Sequence, residues 1–95
     1  MPVAVVMDFK DATLDQYDQV IVKMGFTPGG AGPPGALFHW VAGSEDGMRV
    51  VDVWKTREQF ERFAGEQIGP YSEEVGIPNP PDIHFHDVHN HLTAG

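Results

Sequence analysis

Along the 95-residue chain, apolar positions fall into strand-like and helical periods separated by clusters of Gly, Pro, Asp and Asn. Residues 3–9 are apolar and rich in β-branched side chains, which predicts a buried strand. Thr13, with Gln16 three positions on, has the form of a capping box. Leu14, Tyr17, Ile21 and Met24 then recur at helical spacing up to Gly25, a residue suited to a helix C-terminus. Residues 27–35, Thr-Pro-Gly-Gly-Ala-Gly-Pro-Pro-Gly, fit neither a helix nor a central strand. A loop of that length is either a mobile connector or a cover over a pocket.

Residues 36–43 and 48–55 read as two strands of a hairpin around Ser44-Glu45-Asp46-Gly47, with its Asp-Gly turn signal. A loop of two or of four residues puts odd positions of the first strand opposite even positions of the second; a three-residue loop would break that relation. One face then carries Phe38, Trp40, Val51 and Val53, which are expected to lie under helices. The other carries Leu37, His39, Val41, Val50, Asp52 and Trp54, with His39 and Asp52 close together. Thr56 and Gln59 form a second capping-box pattern, and Phe60, Phe63, Ala64 and Ile68 supply the buried stripe of that helix. Gly69-Pro70 is expected to interrupt it, with a further short turn through Tyr71 and Val75 ending at Gly76. Residues 77–81 form a stiff connector into a final strand-like stretch, 81–92. The order β-α-β-β-α-β predicts an α+β, ferredoxin-like antiparallel sheet in one domain spanning 1–95, with both helices on one face. The uncovered face requires another partner.

Composition narrows the function classes. A hydrophobic fraction of 41% supports a folded globule, and the net charge of −8 counts against nucleic acid and anionic membrane surfaces as partners. Cysteine is absent, so disulfides, thiolate metal sites and a cysteine nucleophile are excluded. The N-terminal residues show neither a basic, apolar leader nor a membrane span, and a soluble cytoplasmic protein is the expectation.

Four histidines, His84, His86, His89 and His91, crowd the last stretch. Strand alternation splits them into two pairs on opposite faces, unless a bulge near Asp87 brings all four together. Ile83 and Phe85 make the better helix-facing pair, which turns His84 and His86 toward the uncovered face. A metal site would need a third ligand; within one subunit Asp52 and His39 are expected at the opposite side of the sheet, so the ligand would have to come from a partner chain, and no metal is expected. His89 and His91 are expected at an edge or subunit contact.

The run Val51-Asp52-Val53-Trp54-Lys55-Thr56-Arg57-Glu58-Gln59-Phe60 resembles the strand-to-helix signature of the dimeric α/β-barrel superfamily, especially its antibiotic-biosynthesis-monooxygenase branch. The resemblance extends to the order of elements along nearly the whole chain. It implies a homodimer in which two sheets pack face to face, with a small-molecule pocket in each subunit. It also implies activities ranging from cofactor-free oxygenation of aromatic phenols to polyketide cyclisation and haem chemistry. The haem-degrading branch uses a Trp and a His on the second helix and an Asn on the first strand. This chain has neither Trp nor His on that helix and offers Asp8 on the strand.

Taken together, these readings give a cofactor-independent monooxygenase-like or cyclase-like enzyme acting on an aromatic, polyketide-type molecule. His39 is the expected base, Asp52 its orienting partner, His86 a polar group for a developing oxyanion, and Trp54 an aromatic wall. Leu37, Val50, His84 and Tyr71 are further candidates to line the ligand site, although Tyr17 and Tyr71 first read as core residues. The alternative is a non-catalytic small-molecule or haem-binding barrel, with His84 or His86 as axial ligand.

Overall fold

The alternation at the start of the chain is realised as β1 (Val3–Lys10), in which Val3, Val5, Met7 and Phe9 are buried and the residues between them are only partly covered. In the computed structural model, which describes residues 1–93, β1 lies inside a four-stranded antiparallel sheet with β2 (Ala36–Ser44), β3 (Gly47–Trp54) and β4 (Asp82–Asp87). The spatial order is β2-β3-β1-β4, so β2 and β4 are opposite edges. This is the expected ferredoxin-like arrangement of an α+β domain. No helix among the described residues is long and apolar enough to cross a membrane.

The β2–β3 hairpin closes through Glu45-Asp46, with Ser44 opposite Gly47, and odd positions fall opposite even ones as expected. Gly47 is required there by close approach, because a Cβ would stand 2.0 Å from the carbonyl oxygen of Phe9. At the other end of β2 the register shifts between Ala36 and Phe38, leaving Leu37 as an extra residue.

The face assignment of the hairpin is reversed from the expectation. β3 pairs with β1 so that Val5 meets Asp52, Met7 meets Val50 and Phe9 meets Met48. The even residues of β3 therefore share the side of β1 that holds its four large buried residues, and that side goes under the helices. Phe38 and Trp40 instead remain 56% and 42% exposed on the open face, beside Val51 and Val53. The hairpin alone offers two comparably apolar faces. Summed over the whole sheet, the β1 residues decide between them, because burying Val3, Val5, Met7 and Phe9 outweighs burying Ala4, Val6 and Asp8.

Helix α1 (Leu14–Met24) begins with both halves of the capping box. The Gln16 N–H donates to Thr13 Oγ1 at 3.1 Å and the Thr13 N–H to Gln16 Oε1 at 3.0 Å. It ends at Gly25, whose φ of 84° lets the Phe26 and Gly25 N–H groups reach the carbonyls of Ile21 and Val22. Helix α2 (Arg57–Phe63) has only half of its box. The Gln59 N–H donates to Thr56 Oγ1, while the Gln59 side chain accepts from the Thr56 hydroxyl and not from its backbone.

Gly69-Pro70 does not break the second helix. A π-helical turn, Ala64–Ile68, joins α2 directly to α3 (Gly69–Glu74), and the Gly69 N–H bonds the carbonyl of Ala64 five residues back. In a regular α-helix the Pro70 ring would press on the carbonyl four residues earlier. The wider turn relieves that clash and absorbs the missing N–H. Lys23 to Glu74 at 2.8 Å, and Gln16 Nε2 donating to the Gly76 carbonyl at 3.2 Å, tie α3 to α1.

β4 is shorter than the expected 81–92 stretch. Its partner β1 begins at Val3, opposite Asp87, and after the Val88 N–H bonds the Pro2 carbonyl there is no strand left to pair with. His89 and His91 lie outside the ladder, so the bulge near Asp87 does not arise. The irregularity in the sheet sits at Leu37 instead.

Candidate functional site

β2 and β3 place His39 directly opposite Asp52 on the helix-covered side of the sheet. Asp52 is 5% exposed and is the charged residue of the buried core. Burying a carboxylate is costly unless its oxygens are occupied, and here both are. Trp54, two residues along the same strand and therefore on the same face, donates its indole N–H to Oδ2 at 3.1 Å. His39 Nδ1 lies 2.5 Å from Oδ1. From above, α1 brings Tyr17 down onto His39, with the two rings stacked 10° from parallel and the phenol hydroxyl bonded to Nε2.

The direction of these bonds follows from the groups that have no choice. The Trp54 N–H can only donate. Burial in the first place, and then the carboxylates of Asp52 and Asp18, push the Tyr17 phenol up to about 12, so it keeps its proton and donates to His39 Nε2. His39 then carries its proton on Nδ1 and donates it to Asp52, an assignment inferred from the network. The run reads Tyr17 to His39 to Asp52, with Trp54 converging on the same carboxylate.

A cavity of about 970 Å³ opens on this run, between the sheet and the helices. Met7, Phe9 and Val50 form part of its floor, Val20, Ile21 and Met24 of α1 one wall, and Phe63, Ile68 and Ser72 another. Loop residues 27–33 border it, so the Gly/Pro segment stands at the pocket. The lining also reaches around the β2 edge to Phe38 and Trp40.

Of the residues singled out in the sequence, His39, Asp52, Trp54, Leu37 and Val50 come together at this cavity. His84 and His86 do not. Their register partners are Val6 and Ala4, which puts them on the open face at the β4 edge, across the sheet from His39. His86 is thus removed from the oxyanion role beside His39, because a two-residue repeat fixes both imidazoles to the side that Phe85 does not occupy. Tyr71 is absent from the lining and Ser72 takes its place. Among the described residues, no three His, Asp or Glu side chains are grouped to hold a metal ion.

The residue that sequence reasoning passed over is Tyr17, assigned to the core by its place in an apolar stripe. The signal was its hydroxyl. A tyrosine in a sheet-facing stripe needs a partner for that group, and the sheet beneath α1 offers His39.

No protein-family model matches the sequence, and no curated protein does. Among solved structures, the chain is similar to Rv0793 from Mycobacterium tuberculosis, at 17% identity and a TM-score of 0.65, covering 98% of this chain and 100% of that one. It is also similar to a monooxygenase from the gene ActVA-Orf6 of Streptomyces coelicolor in complex with the ligand nanaomycin D, at 22% identity and a TM-score of 0.55, covering 99% and 92% of the two chains. At these identities the likeness is one of fold: the chain shares its ferredoxin-like arrangement with these two structures.

Proposed function

We propose that the chain is a small cofactor-independent monooxygenase-like enzyme, or a closely allied cyclase, acting on an aromatic, polyketide-type molecule held between the sheet and the helices. The observation that carries this reading is the Tyr17–His39–Asp52 run ending in a largely apolar cavity of about 970 Å³. Imidazole is the side chain suited to proton removal near neutral pH, and Asp52 both fixes its orientation and supports the imidazolium that forms. Removal of the proton from a phenol, or from a carbon beside a carbonyl, leaves the electron pair on the substrate. The phenolate then reduces dioxygen, and a new C–O bond at a ring carbon gives a hydroperoxide. Cleavage of its O–O bond, with loss of water, leaves a quinone. In the cyclase version the same kind of anion attacks an internal carbonyl. Trp54, itself almost fully covered, backs the aromatic wall and holds Asp52 through its indole N–H. A monooxygenase of this fold bound to a small molecule supports the general kind of activity. A second copy of the chain over the open face, with Phe38 and Trp40 along its β2 edge, accompanies the proposal.

Oxygen uptake and product analysis with hydroxynaphthalenes and anthrones, together with diketones able to cyclise, test the assignment. His39→Ala is expected to lower kcat by about a hundredfold to ten-thousandfold with an unchanged circular dichroism spectrum. The assignment is lost if none of these compounds turns over, or if the variant turns them over as well as the wild type.

A further inference from the structure

Along the run, every donor hydrogen is already spent. Asp52 Oδ2 accepts from Trp54 and Oδ1 from His39; the Nδ1–H of His39 is given to Asp52, and its Nε2 lone pair is filled by the Tyr17 hydroxyl. Tyr17 lines the cavity, and its phenol oxygen keeps a second lone pair that no residue of the run fills. At the run, a molecule entering with a hydroxyl hydrogen finds an acceptor, whereas one carrying only acceptors finds every donor hydrogen of the run already given.

Resting on the reading of the site as one that abstracts a proton, we propose that Tyr17 is the catalytic residue that meets the substrate and that His39 acts through it. The substrate O–H bond breaks as a new O–H bond forms on the Tyr17 oxygen. The original Tyr17 O–H bond breaks as Nε2–H forms on His39. The electron pair of the broken bond stays on the substrate oxygen, and the positive charge ends on an imidazolium paired with Asp52. Nothing is oxidised or reduced in this step, and Tyr17 is neutral before and after it. The phenol's reluctance to ionise suits this role, because a relay must hand on one proton as it takes up another and must not rest as an anion. The near-parallel planes of the two rings set the hydroxyl in line with the imidazole nitrogen, as a proton transfer requires. The relay makes the site selective for the hydroxyl form of an aromatic over an ether or carbonyl form of the same ring.

The chain has two tyrosines, so protein labelled with 13C at tyrosine Cζ gives two resonances, assigned by Tyr17→Phe. Titration with 1-naphthol is expected to move the Tyr17 resonance, whereas 1-methoxynaphthalene, of the same ring but without the hydrogen, leaves it in place. Tyr17→Phe is expected to lower kcat about a hundredfold with little change in KM. A plot of kcat against the deuterium fraction of the solvent, bowed in the wild type by two moving protons, becomes straight in the variant. A packing role would not change that shape. An unmoved Tyr17 resonance, or one moved equally by both compounds, overturns the relay. If His39-dependent turnover persists in that case, the proposed function stands without it. A selective shift with no turnover of any phenol has the opposite meaning: the contact at Tyr17 is right and the enzyme assignment wrong.

Discussion

At the scale of single residues, the site is a matter of which atoms have alternatives. Asp52 receives an N–H on each oxygen, so Asp52→Asn preserves the shape and sets an amide NH2 against a donor whichever way it is turned. The conflict is expected to cost about 1–3 kcal/mol, read as a lower denaturation midpoint. Activity should fall further than stability suggests, because the imidazole tautomer is no longer fixed. Tyr17 offers a second measurement. Its raised pKa means that the folded protein holds the proton more tightly than the unfolded chain does. The stabilisation linked to it is therefore complete below the ordinary tyrosine value near 10 and is lost as pH rises toward about 12. Ultraviolet titration at 295 nm should show one phenol ionising late, and that step should vanish in Tyr17→Phe. The pairing of His39 with Asp52 was readable from hairpin arithmetic alone. The third member was not, because its approach depends on how α1 crosses the sheet.

At the scale of elements, the local capping signal of α1 is met in full and that of α2 by half. The Thr13 box and the Gly25 terminus appear as the residues dictate. Two glycines show how different the reasons for one residue type are. Gly25 needs its positive φ but has nothing within 4 Å of a Cβ, so Gly25→Ala is expected to cost about 1 kcal/mol. Gly47→Ala drives a methyl into the Phe9 carbonyl and should cost about 3 kcal/mol or more, because β1 and the hairpin cannot both keep their places. Urea denaturation of the two variants side by side checks the difference. The Gly69-Pro70 break was misjudged for a related reason. Proline forbids a regular α-turn but tolerates a wider one, and nothing in the local sequence distinguishes a stop from a π-turn.

At the scale of the molecule, two faces of one sheet are committed to different ends. Order and topology could be read from the succession of periods. Which side of the hairpin is covered could not, because that choice sums contributions from β1 and the helices. The open side has a row Trp40–Val51–Val6–His84 and a parallel one Phe38–Val53–Ala4–His86. Next to these, Arg49 clamps Asp8 through both guanidinium contacts, at 2.8 and 3.0 Å, and holds that carboxyl below its usual range. If a second copy covers this side, sedimentation should report two chains, and Phe38→Glu with Trp40→Glu should return one. The turn Ala64–Ile68 also has a reach well beyond its own length. Each residue of a helix advances it by about 100°, so one surplus residue resets the angular phase of everything after it. The wide turn takes that residue up, so Ile68 and Ser72 keep their heading toward the cavity. Wound as a regular α-helix, the same residues would swing both side chains roughly a quarter-turn away and carry the contacts of Glu74 and Gly76 with α1 along with them, whereas deleting Gly65, where a side chain would meet nothing, removes the surplus and leaves their heading nearly unchanged.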